Sequence, residues 1–132
     1  MIIMVCVDDN NGMMFNKRRQ SQDRVLRQRM LELAGEKKLW MNDYSRRQFP
    51  EEEADRIAVT GPDFSDIAPG EFCFLEDQDP AQYEALILFH WNRVYPADLH
   101  STLDLSGWNL TETEEFAGNS HEKITQERYV RG

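Results

Sequence analysis

Long apolar runs are scarce in this chain of 132 residues: the longest, Met1 to Val7, is too short to cross a bilayer and is followed by acids rather than a cleavage site. No membrane span and no export signal are therefore expected, which places the chain in the cytoplasm. Cysteine is nearly absent. Cys6 and Cys73 both sit in apolar stretches where a thiol behaves as a small hydrophobe, so no structural disulfide is expected. The only histidines, His90, His100 and His121, lack the close spacing of a zinc site, so no metal is expected. Also missing are a Gly-rich phosphate loop, a Gly-x-Ser-x-Gly elbow, a His-x-His-x-Asp-His cluster and a base beside either cysteine. Common hydrolase and nucleophile chemistry is left without support.

What the chain does have is charge, unevenly placed. Residues 1–50 carry ten Lys/Arg against six acids, while residues 51–132 carry five against eighteen, within a net charge of -9. A chain this acidic is repelled by nucleic acid overall, although a local basic face can still hold phosphate and the acidic part can attract a basic protein groove. With 40% hydrophobic residues, the length suffices for one core and one domain, residues 1–132.

The order of elements points to a mixed α/β class. Met1 to Val7 reads as a buried central strand running into the turn Asp8-Asp9-Asn10-Asn11-Gly12, and Met13 to Gln20 as a loop. Ser21 is expected to cap a helix with Asp23 in its first turn, apolar Val25, Leu26, Met30, Leu33 and Ala34 on one stripe, and Gly35 closing it in a left-handed conformation. Short strands are expected at residues 38–41, 56–60 and 70–75, with weak helix at 43–49 ended by Pro50. Ala85 to Phe89 is apolar throughout, as a strand covered on both faces must be. Trp108 to Phe116, the turn Gly118-Asn119-Ser120 and Ile124 to Val130 form a C-terminal antiparallel hairpin.

The opening, a strand followed by Asp9-Asn-Asn-Gly12-Met13 and Asn16-Lys17, resembles the start of dihydrofolate reductases. The ending resembles them more strongly, through Asp104-Leu-Ser-Gly-Trp108, Glu114-Glu-Phe116 and Ser120-His-Glu-Lys-Ile-Thr-Gln-Glu-Arg-Tyr129. The resemblance covers roughly half the chain and implies a dihydrofolate reductase-like mixed sheet, with one main helix after strand 1 and the hairpin at the end. It would make Asp23 the substrate-helix carboxylate, and it puts Asn16 and Tyr44 at candidate ligand positions.

Departures from the family are equally specific. Where reductases carry Gly-Arg-x-Thr to cradle cofactor phosphates, this chain has Met41-Asn-Asp-Tyr-Ser45, and Asp43 would repel phosphate. The family's Gly-Gly turn has no counterpart, the family's loop aromatic and proline are replaced by Arg18-Arg19-Gln20, and the shortfall in length is expected to fall on the cofactor half. No cofactor is therefore expected, NADPH belonging to the alternative in which the chain is a minimal pterin reductase or a pterin binder.

Two stretches stand out as interaction surfaces, with no catalytic residue assigned outside the reductase alternative. One is basic and centres on Arg18, Arg19 and Arg27, with a solvated face as its simpler explanation. The other holds Trp91, Arg93 and Tyr95, residue types that often anchor interfaces but can equally pack on the sheet; Trp40 and Trp108 are expected in the core. The leading expectation is a non-catalytic binding protein whose partner is another protein or a protein–nucleic acid complex, possible roles including an anti-restriction or anti-CRISPR inhibitor. Direct nucleic-acid binding is not expected, and the oligomeric state is left open.

Overall fold

The computed structural model describes residues 1–80 and 82–132. A seven-stranded sheet runs through it, built in chain order from β1 (Ile2–Val7), β4 (Leu39–Met41), β5 (Ile57–Val59), β6 (Phe72–Leu75), β7 (Ala85–His90), β9 (Trp108–Phe116) and β10 (Ile124–Arg131). Its order is β5-β4-β6-β1-β7-β10-β9. The first five of these are parallel, and β10 and β9 close the sheet antiparallel. β1 lies fourth of seven and is paired on both edges, which is why its apolar run is unbroken.

Met13 to Gln20 is not a simple loop. β2 (Gly12–Phe15) pairs with β3 (Arg18–Arg19) and with β8 (Leu99–His100) in a second, three-stranded sheet. Two of these strands are two residues long and one comes from far along the chain, so no local periodicity marks them.

The long helix, α1 (Arg24–Ala34), is capped by Asp23 and not by Ser21. Asp23 has extended backbone angles and accepts from the N–H groups of Val25 and Leu26, while the Ser21 hydroxyl turns elsewhere. The buried stripe is Leu26, Met30, Leu31 and Ala34, with Leu33 packed partly buried against the same core, while Val25 in the first turn is exposed. Gly35 ends the helix at φ 63°, its N–H bonding the Leu31 and Glu32 carbonyls. A one-turn helix, α2 (Asp43–Arg46), and a 3-10 helix (Glu51–Arg56) connect β4 to β5.

The two faces of the sheet are covered differently. On one, Ile2, Met4, Ile87 and Phe89 pack against α1. On the other, Ile3, Val5, Leu86 and Leu88 meet Met13 and Met14 of β2 together with loop side chains such as Phe64, Ile67, Leu103 and Leu105. Each fully buried aliphatic or aromatic side chain contributes about 1.5–3 kcal/mol, so loops can seal this face if they bring enough of them. Trp40 and Trp108 are half-buried, Trp108 stacking on Tyr83 at 4.8 Å near the sheet edge, which corrects their expected place in the core. The cysteines are unpaired, and no described helix is long and apolar enough to cross a membrane.

Candidate functional site

Asp23, at 3% exposure, is tied across the fold to the turn between β9 and β10. Its Oδ1 accepts from the N–H groups of Val25 (2.9 Å), Leu26 (3.2 Å) and Asn119 (2.9 Å). Its Oδ2 receives the Ser120 N–H at 2.9 Å and lies 2.9 Å from His121 Nδ1. A Cβ at Gly118 would sit 2.5 Å from Asp23 Oδ2, so only glycine lets the turn come this close. Burial works to raise the Asp23 pKa, but the Asn119 N–H, the His121 ring and the N–H groups of Ser120 and Leu26 outweigh it and hold the carboxyl far below its usual range.

An ionised carboxylate only accepts, so His121 donates from Nδ1 to Asp23 and turns Nε2 the other way. The hydroxyls of Ser21 and Tyr95 both lie 3.0 Å from that nitrogen, and Trp91 stacks on the ring at 4.6 Å. An acid, an imidazole and a serine in line is the arrangement that activates a nucleophile in serine hydrolases. Here Tyr95 shares the nitrogen, and the adjoining cavity, walled by Cys6, Leu26, Met30, Phe74 and Trp91, has about 20 Å3 free, room for one water molecule and not for an acyl group. The cluster acts as a latch joining the start of α1 to the C-terminal hairpin.

Arg19 and Glu76 fill the other side of that cavity. Arg19 Nε and Nη2 donate to the two Glu76 oxygens at 2.8 and 3.2 Å, and Gln48 Nε2 adds a bond to Oε1 at 3.0 Å. The Arg19 guanidinium lies 4.4 Å over the Tyr44 ring, and the Arg19 N–H donates to the Tyr44 hydroxyl at 2.8 Å. Burial, then the Glu76 charge, pushes the Cys6 thiol well above its ordinary pKa, so it stays protonated and inert.

The expected site residues thus divide. Asp23, Tyr44, Arg19, Trp91 and Tyr95 converge here, all engaged internally; Trp91 is only 5% exposed and offers no anchor to a partner, because its ring covers His121. Arg18, Asn16 and Arg93 are exposed and lie outside this cluster, and half-buried Arg27 stands beside it, its Nη1 3.3 Å from Gln22 Oε1. Sequence reasoning missed His121, Glu76 and Gln48, whose partners across the cluster lie 26 or more positions away; the one local hint was the turn glycine preceding Ser120-His121. Among the described residues, no group of three His, Cys, Asp or Glu is placed to hold a metal ion.

No family model matches the sequence, and no curated protein matches it. Solved structures do. A dihydrofolate reductase from Enterococcus faecalis, complexed with NADP(H) and RAB-propyl, aligns over 99% of this chain and 95% of that one with a TM-score of 0.64 at 10% identity. The likeness spans nearly the whole of both chains, and β4, β5 and β6 are all present on the far side of β1. The strand order, the single long helix behind β1, the closing hairpin and this likeness establish that the chain has the dihydrofolate reductase fold.

Proposed function

We propose that the chain is a non-catalytic domain of dihydrofolate reductase-like fold that works by binding another macromolecule. The observation that carries this reading is the narrow cavity: the Arg19–Glu76 pair and Gln48 line it beside α1, leaving about 20 Å3, and the carboxylate a reductase would turn toward a pterin has both oxygens engaged by protein donors. Helix starts give further support. Asp23 caps α1, Asp43 opens α2, and Glu51, Glu52 and Glu53 open the 3-10 helix, so a cofactor phosphate at any of these N-termini would meet negative charge. An acidic body with a basic edge suits an inhibitor of a nucleic-acid-handling complex, of the anti-restriction or anti-CRISPR type.

The competing reading, an NADPH-dependent pterin reductase, rests on the fold it shares with a reductase bound to NADP(H). Thermal denaturation with NADPH and with folate or an antifolate separates the two. A ligand at 100 times its Kd adds about 2.7 kcal/mol, a readily measured shift. The expected result is no shift with either; NADPH oxidation that disappears in Asp23→Asn would sink the binding-protein reading. The inhibitor role is tested by assaying restriction and CRISPR interference in cells expressing the chain, where unchanged interference removes that role.

A further inference from the structure

One surface of this acidic protein gathers its cations. Lys17, Arg18, Arg24 and Arg27, which like most of the Lys/Arg form no ion pair among the described residues, lie close to one another and to Arg19. These four cations lie along the β2–β3 hairpin and the first turn of α1. Arg18, Arg19 and Gln20 line one groove, Arg19, Gln20 and Arg27 line the neighbouring cavity, and Arg24 lines a further pocket with Arg29 and Phe116. Burial lowers the pKa of Arg27; Asp23 opposes that, and the like charges of Arg19 and Arg24 add to it, so the cations crowd one another. The nearby acids are held by protein donors: Asp98 by the Asn16 N–H, Asp8 by Gln20 and the Tyr95 N–H, Asp23 in its latch and Glu76 by Arg19.

The hairpin tip has an unusual backbone as well. Asn16 and Lys17 form the two-residue turn between Phe15 and Arg18, both at positive φ (52° and 60°), a geometry in which the second position ordinarily belongs to glycine. Beside the turn, Phe15 is 42% exposed, and the groove it shares with Asn16, Arg18, Tyr95 and Pro96 encloses about 520 Å3. Cations that follow a backbone, next to aromatic rings open to solvent, are the two components of a sequence-tolerant single-strand site.

We propose that this ridge and groove bind single-stranded nucleic acid, with Lys17, Arg18, Arg24 and Arg27 on phosphates and a base stacked on Phe15. The proposal deepens the binding-protein reading and rests on it, placing the contact on the nucleic acid of the partner complex. It also reverses the expectation from net charge. Counter-charges are screened beyond about 8 Å at physiological salt, so a local cluster governs contact even on a chain of net charge -9.

The test is fluorescence anisotropy with a labelled deoxythymidine oligonucleotide, and with a labelled polyglutamate of equal charge as the acidic-protein surrogate. Four phosphate contacts at about -0.7 each give a log–log salt slope near -2.8, an affinity loss of about 50-fold between about 50 and 200 mM salt. R18E with R24E, both exposed positions, is expected to abolish most binding. F15A is expected to weaken oligonucleotide binding about tenfold, the weight of one stacked base, and to leave polyglutamate unaffected. No oligonucleotide binding at low salt, or a flat salt response, overturns the proposal. So does polyglutamate binding as tightly with F15A silent, an outcome that assigns the ridge to an acidic protein. The NADPH and folate titration is a separate measurement, so failure here leaves the binding-protein reading standing and failure there is recognised independently.

Discussion

Within one short stretch of chain the protein treats its charged groups in opposite ways. Asp23 is buried and bonded to helix N–H groups, turn N–H groups and an imidazole, while Lys17 and Arg18 stand in solvent with no ion pair among the described residues. Arg18 and Arg19 are the sharpest case, adjacent in sequence yet one free and one locked to Glu76. The difference follows from dielectric surroundings: a buried ion must be paired or it costs several kcal/mol, whereas an exposed one can stay unpaired at almost no cost. Stability resides in the first region, and the proposed contact with a partner falls on the second.

The largest expected effect comes from breaking the latch. Asp23→Ala leaves His121 and four backbone N–H groups without their acceptor in the interior, and should lower unfolding stability by about 4 kcal/mol in urea denaturation. A loss under about 1 kcal/mol would erase the contrast between the two regions. Acid should reproduce part of this. Because the folded-state pKa of Asp23 is depressed, its contribution is fully present above the unfolded value of about 3.9 and is lost as pH falls toward the folded one, by up to about 1.4 kcal/mol per pH unit. Asp8, where burial is outweighed by N–H groups of Gly12, Tyr95 and Asn10 and by Gln20, adds in the same direction. Denaturation midpoints should therefore drop steeply below about pH 4 in the parent and less so in Asp23→Asn.

Next in size is the adjacent pair. Arg19→Ala strands Glu76, whose side chain is only 8% exposed, and should cost about 3 kcal/mol. Arg18→Ala should stay within about 0.5 kcal/mol of the parent. Equal losses at the two positions would show that the hairpin shares its load and that the division drawn here is false.

Much of the fold is legible in the sequence because it rests on local pattern. The apolar run at Ile2–Val7, the period of Leu26, Met30 and Ala34, the unbroken Ala85–Phe89 and the hairpin turn at residues 118–120 all specify their elements within a few neighbours. What escaped is what depends on distant partners. Ser21 and Asp23 are both good helix caps, and the choice between them is made by Asn119 and Ser120, far along the chain. β2 and β3 pair across a two-residue turn that lacks glycine, and β2 also pairs with residues 99–100, far along the chain. Asp23 was recognisable as a site candidate, but its imidazole partner was not: His121 lies 98 positions away in a turn with no metal or catalytic spacing around it.

The smallest effect reverses the usual sign. Lys17 holds φ 60° where a side chain is disfavoured, so Lys17→Gly should relieve the strain and stabilise the fold by about 0.7 kcal/mol, raising Tm by about 3 °C. The same change removes one cation from the ridge, so oligonucleotide affinity should fall as its salt slope flattens by about 0.7. A variant that is more stable and binds less well is what a residue retained for contact, at some cost to the fold, would produce. If Lys17→Gly gained stability and kept both its affinity and its salt slope, the strained turn would have nothing to do with binding, and the ridge would have to begin at Arg18.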